Sequence, residues 1–242
     1  MKKFSLLLIL LGMAFAGRAQ EAPKNLHFEW NRMLKSYVDE EGGVNYKGWK
    51  KEQEALRGYL KAMGQMETEG FTENDVLAYY INIYNAATVD LILTHYPLES
   101  IKDIEIDGNS AWEHPFILLN EKAITLNHLE NEIIRKQFND PKIHFALVCA
   151  AKSCPKLHNR AFTGENLNEV LTTLTTEFIN NAEANTIQED LLVVSRIFEW
   201  YSEDFGGKEG VIPFVRKHTN KKIGKNPTLR FQDYDWSLNT PE

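Results

Sequence analysis

The chain has 242 residues, 43% of them hydrophobic and 25% charged, an ordinary balance for a folded domain and enough for one sizeable core. Its 27 basic residues face 34 acidic ones without any basic stripe, which argues against nucleic acid and anionic membrane as main partners. No low-complexity linker or internal repeat divides it, and there is no glycine-rich phosphate loop.

Residues 1–19 read as a secretory signal: Lys2 and Lys3, an apolar run over 4–11, then small residues. Ala14-Phe15-Ala16 and Gly17-Arg18-Ala19 are both suitable cleavage sites. No cysteine lies near them to form a lipobox, the apolar run is too short to span a bilayer, and no later segment reads as transmembrane. The expectation is a secreted or periplasmic protein without a stable membrane anchor, whose mature part (20–242) is one globular domain.

In that part, Leu26, Trp30, Met33, Leu34 and Tyr37 recur at helical spacing and predict an opening amphipathic helix. A turn follows over 39–43, a brief extended piece over 44–46, and a second helix carrying Leu56, Tyr59, Leu60 and Met63. The strongest helix spans 72–96, with Thr72 as N-cap and Pro97 as its stop. It is apolar on nearly every face, as a central buried helix is. Asn82 and Asn85 interrupt it on one face; they either tie neighbouring backbone to the helix or line a cleft. Asp107-Gly108-Asn109 is a turn between two short strands. Thr125 caps a helix to Phe138 that carries His128 and Glu130. Thr163 caps another with the stripe Leu167, Val170, Leu171, Leu174 and Phe178. Residues 191–194 read as a strand, and IFEWYSEDF (197–205) as a short acidic, aromatic helix stopped by Gly206-Gly207. Pro213 suits a first helical turn, and Phe231, Tyr234 and Trp236 are available to the core. Helices interleaved with few strands give an α/β (α+β) class: one helix-rich domain around a small sheet with a central buried helix.

The densest chemistry lies in PKIHFALVCAAKSCPKL (141–157), which holds both cysteines of the chain. Residues 143–149 read as a covered strand, with His144 and Cys149 on opposite faces. Pro155 at a helix start would make Cys154 an N-cap, its sulfur near the positive dipole end and near Lys156, which favours the thiolate.

Five stretches together resemble the family called domain of unknown function 547: AYYINIYNAAT (78–88), ITLNHLENEIIR (124–135), IHFALVCAAKSCPKL (143–157), SRIFEWYSEDF (195–205) and FQDYDWSLN (231–239). They fall in the expected order across nearly the whole mature chain. The resemblance implies a single helix-rich α/β domain and supplies no established reaction. The family usually reads Ile-Glu-His where this chain has Leu129-Glu130-Asn131, which makes nearby His128 the candidate substitute. A more distant similarity to papain- and transglutaminase-type thiol folds rests on the cysteine, histidine and strand arrangement.

Three accounts of the cysteines compete. Cys149 and Cys154 form a disulfide in an oxidising compartment, if residues 150–153 fold back. Alternatively Cys154 is a thiolate nucleophile, with His144 or His128 as base and Asn85 or an acid such as Glu130 orienting it. Or His144, Cys149, Cys154 and His158 hold a metal, which the opposite-face argument weakens. The preferred reading is a cysteine-dependent hydrolase or acyl transferase with catalytic Cys154, His144, Asn85 and Glu130. Asn82, His128, Cys149, Lys156, Tyr201 and Asp204 are the binding candidates. It takes no cofactor and no metal, and its ligand is a small molecule or peptide of unknown identity. A non-catalytic binding module with a structural disulfide, or a metal-binding domain, is the alternative.

Overall fold

The computed structural model describes residues 22–241. The expected signal segment therefore lies outside the described residues. The first layer is helical: α1 (Phe28–Tyr37), the short α2 (Tyr46–Trp49) and α3 (Gln53–Gly64) pack around Trp30, Trp49 and Leu56, each no more than 1% exposed. Trp30 stacks on both Trp49 and Tyr59, so the aromatic residues of the opening helices share one cluster.

His27, just before α1, is buried with its Nδ1 2.8 Å from the Tyr59 hydroxyl. Burial lowers its pKa from 6.5 to about 4, against an opposing pull from Asp75. The imidazole is therefore held neutral in the fold, whereas the unfolded chain takes up a proton below pH 6.5. The resulting stability is complete above that pH and is lost as pH falls towards 4, by about 3 kcal/mol in all. Urea midpoints at pH 7.5 and 4.5 should fall less in a His27→Gln variant than in the parent; equal falls would refute this assignment.

The organising element is α4 (Glu73–His95), capped by Thr72, whose Oγ1 accepts from Asp75 N–H. It is buried nearly all round; Ile81, Ile83, Ile92 and Leu93 are at most 1% exposed, and each contributes roughly 2 kcal/mol. Two hairpins follow, β1 (Glu105–Ile106) with β2 (Asn109–Ser110), and β3 (Ile117–Leu119) with β4 (Lys122–Ile124). The first turns at Asp107-Gly108, both at positive φ, as a two-residue hairpin loop requires. The second packs so closely on α3 that a Cβ on Gly64 would run into the Leu118 carbonyl.

Thr125 Oγ1 accepts from His128 N–H at the head of the next helix. That helix is π-wound over His128–Ile134 and becomes α-helical as α5 (Arg135–Phe138). Thr163 accepts from Asn166 N–H ahead of α6 (Leu167–Asn180), whose buried stripe is Leu167, Leu171, Leu174 and Phe178, with Val170 half-buried. β5 (Thr186–Ile187), β6 (Leu191–Val194) and, after α7 (Ile197–Trp200) and α8 (Lys208–Lys217), β7 (Thr228–Phe231) form a three-stranded mixed sheet in the order β5-β6-β7. The class is α/β with a central buried helix, as expected.

Three local expectations are overturned. Residues 143–149 are not a strand: Asp140 caps a 3-10 helix over Pro141–Phe145, and an irregular segment follows. The reason is Asn85. Its Nδ2 donates to the Ala146 carbonyl at 2.8 Å and its Oδ1 accepts from Val148 N–H at 3.0 Å. One amide thus satisfies the two backbone groups that a neighbouring strand would have paired. No helix starts at Pro155, so Cys154 caps nothing. Pro213 lies inside α8 rather than in its first turn. Its missing N–H deprives only the carbonyl of exposed Glu209, where water can substitute.

Candidate active site: a dithiol cavity behind the central helix

The chain between the two cysteines folds back through Ala150, which holds a left-handed φ of 59°. A non-glycine residue in that region is strained by roughly 1–2 kcal/mol, so the turn must be held by its surroundings. It is held on both sides. Asn85 fixes the approach, while the C-terminal segment grips the turn: Asn239 N–H donates to the Ala150 carbonyl, Lys152 N–H to Ser237, and Ser153 N–H to Asp235. Asp235 N–H returns a bond to Ser153 Oγ.

This turn brings the sulfurs of Cys149 and Cys154 to 2.8 Å, as free thiols. Cys149 N–H points at Cys154 Sγ (2.9 Å), and the Tyr234 hydroxyl lies 3.2 Å from Cys149 Sγ. The pair shares a hydrogen, so its two ionisations separate. The hydrogen bond between the two sulfurs pulls the Cys149 pKa down, against burial. Burial, and then the neighbouring Cys149, push Cys154 well up. Burial and the two sulfurs also raise the Tyr234 hydroxyl, keeping it a donor. This order reverses the sequence expectation of a reactive Cys154 and a suppressed Cys149. Its supposed activator, Lys156, instead pairs with Glu177 at 2.8 Å and donates to the Glu40 carbonyl.

Both sulfurs line a cavity of about 230 Å³. His144 lines it too, brought there by the 3-10 helix. Its Nε2 lies 2.7 Å from Asp204 Oδ2, and Asp204 receives a two-pronged contact from Arg135, Nε at 2.7 Å and Nη2 at 2.8 Å. The hydrogen bond from His144, and then Arg135, hold the Asp204 carboxyl well below the usual carboxylate range. An ionised carboxylate only accepts, so Nε2 carries a hydrogen and Nδ1 is left as the basic nitrogen of the neutral ring. Tyr201 stacks on His144 at 3.9 Å between ring centres, with Arg135 over the Tyr201 ring at 5.1 Å.

Glu130 is buried at the cavity wall, on the π-wound turn. Such turns splay side chains that a regular helix would align, and recur at functional sites. The Tyr84 hydroxyl donates to its Oε2 at 2.9 Å, and the nearby carboxylate, after burial, helps push the Tyr201 hydroxyl pKa up.

Of the residues expected from sequence, Cys149, Cys154, His144, Glu130 and Tyr201 meet at this cavity, with Asp204 behind His144. The others do not. Asn85 and Asn82 are structural; Asn82 accepts from Trp30 Nε1 and Phe162 N–H and donates to the Phe162 carbonyl. His128 and Lys156 are not among the lining residues, and His158 packs against Phe162 instead. At the family's histidine position, Asn131 accepts from Arg135 Nη1 at 2.7 Å and so braces the arginine that holds Asp204. Sequence reasoning missed Tyr84, Trp112, Trp200, Tyr234 and Trp236 as cavity residues, having assigned the last two to the core. Only the clustering of Trp and Tyr around the acidic 197–205 helix signalled them.

Fold and cavity define a helix-rich α/β protein with a paired thiol in an aromatic pocket. Residues 68–179 match the model of the family described as protein of unknown function DUF547. No curated protein and no solved structure matches the chain. The similarity to papain- and transglutaminase-type folds gains no support from these comparisons.

Proposed function

We propose that the protein is an exported, cysteine-dependent hydrolase or acyl transferase for a small-molecule or peptide substrate. The observation that carries this reading is the shared wall. A thiol with a lowered pKa lines the same cavity as an imidazole whose other nitrogen is committed to a carboxylate. In this reading Cys149 is the nucleophile and His144 the acid–base, with Asp204 and Arg135 positioning the ring. The Cys149 proton passes to His144 as sulfur attacks the substrate carbonyl. The bond to the leaving group then breaks, and His144 gives that group the proton. Water, deprotonated by His144, cleaves the thioester and restores the thiol; an amine or alcohol in its place gives transfer. Cys154 and Tyr234 donate hydrogen bonds to the sulfur while it is charged.

Incubation of the reduced protein with p-nitrophenyl acetate, followed by peptide mass analysis, tests the reading. One acetyl group per chain on the peptide holding Cys149 is expected, forming more slowly in His144→Ala and, once formed, persisting longer, because both steps lose their acid–base group. No acetylation of either cysteine overturns the enzyme reading. Thiols that stay inert until reductant is added would point instead to a binding module with a structural disulfide. Export rests on the charged, apolar and small residues of the first 19 positions. The intact mass of the exported product should lack residues up to about Ala19; a periplasmic chain still beginning at Met1 would refute this.

A further inference from the structure

Much of the cavity wall around the thiols is aromatic. Trp200, Tyr234 and Trp236 form one contiguous group, with ring centres 4.9, 5.7 and 4.7 Å apart in the three pairings. Trp112 meets Trp236 edge-on at 5.8 Å. Tyr84 and Tyr201 also line the cavity, and the Tyr84 hydroxyl donates to Glu130. Among the described residues no lysine or arginine lines the cavity, and Glu130 is its one carboxylate. Arg135, which lies over the Tyr201 ring, is taken up by Asp204.

Aromatic faces carry negative charge density and attract organic cations, and a carboxylate at the base of such a box adds a full charge. Glu130 has acceptor capacity beyond the Tyr84 hydroxyl, because the two oxygens of a carboxylate offer more lone-pair sites than one donor fills. The same wall already draws a cation from within the fold: Lys102 Nζ lies 5.2 Å over the Trp236 ring, although Lys102 is not a lining residue. A volume of about 230 Å³ admits only a small group, below the roughly 300 Å³ at which drug-sized ligand pockets begin.

We infer that this cavity binds a primary alkylammonium group, seated among the aromatic rings with its N–H donors on Glu130, and that the acyl substrate of Cys149 carries such an amine. The second half of the inference rests on the thiol-enzyme reading; binding of the cation does not, because it needs no turnover. An amine-bearing acyl compound, such as a short peptide with a free amino group beside the scissile bond, is the substrate class.

The test compares n-butylamine, cationic at pH 7, with n-butanol, its neutral isostere, on the full chain. Binding is read from the indole N–H signals of Trp112, Trp200 and Trp236. Saturable shifts with butylamine, and at least tenfold weaker ones with butanol, are expected. Glu130→Gln should weaken amine binding at least tenfold. Trp200→Ala, whose side chain is 46% exposed and so poses little risk to folding, should weaken it several-fold. Equal affinity for amine and alcohol overturns the inference, as does a folded Glu130→Gln that retains full amine affinity. Acetylation of Cys149 without cation preference sinks the inference alone. Cation binding with inert thiols sinks the enzyme reading and leaves the ammonium site standing.

Discussion

Iodoacetamide labelling across roughly pH 5 to 9 should modify Cys149 first, at a rate rising below the ordinary thiol pKa of about 8.5. Cys149→Ala should abolish this early labelling, and with it acetylation, by a factor of at least about 10³, as expected on removing a nucleophile. Cys154→Ala should keep Cys149 reactive but move its profile to higher pH. The sign follows from the geometry. Cys154 lies 2.8 Å away as the partner that pulls the Cys149 pKa down, and once it is gone the burial that opposes the charge is left less checked. A profile that stays put in Cys154→Ala, or early labelling of Cys154 in the parent, would show that the pair is ordered the other way.

Asn82→Ala should be the most destabilising of the single substitutions in α4. It removes three hydrogen bonds and strands the Trp30 indole N–H and both backbone groups of Phe162, in a site where Asn82 is 0% exposed. With about 1–3 kcal/mol for each buried group left unpaired, and partial relaxation, a loss of about 3 kcal/mol is expected. Asn85→Ala strands two backbone groups and should cost about 2 kcal/mol. It should also slacken the segment leading to Cys149, so thiol reactivity should change as well. Urea denaturation decides both. Midpoints unchanged from the parent would show that water replaces the lost partners.

The framework was legible because it is local. Thr72 and Thr125 each sit where a side-chain oxygen meets an otherwise unpaired helix N–H, and the all-round apolar pattern of α4 marks a helix that shows no face to water. The site was only half legible. Residues 143–149 carry a strand pattern, and nothing near them in sequence says that an amide from α4 will take the place of a partner strand. The order of the two cysteines depends on a left-handed turn at Ala150 and on Tyr234, which is 85 residues beyond Cys149. Tyr234 and Trp236 look like core because a core and an aromatic binding wall ask for the same residues; what separates them is a neighbouring carboxylate, here supplied by a π-wound turn.

The grip of the C-terminal segment on the turn between the cysteines sets a time order on the protein's own making. Residues 235–239 are synthesised long after the segment they hold, and Asn239 also reaches back to the other end of the chain, where its side chain accepts from the Tyr46 hydroxyl and its carbonyl from Val44 N–H. Until that clasp is in place, the strained turn has support from Asn85 alone and the cavity lacks Tyr234 and Trp236. A nascent chain can therefore build its helical frame early, while its thiols acquire their final surroundings only once residues 234–239 have been made and docked. During that interval the protein is folded in outline and chemically unfinished.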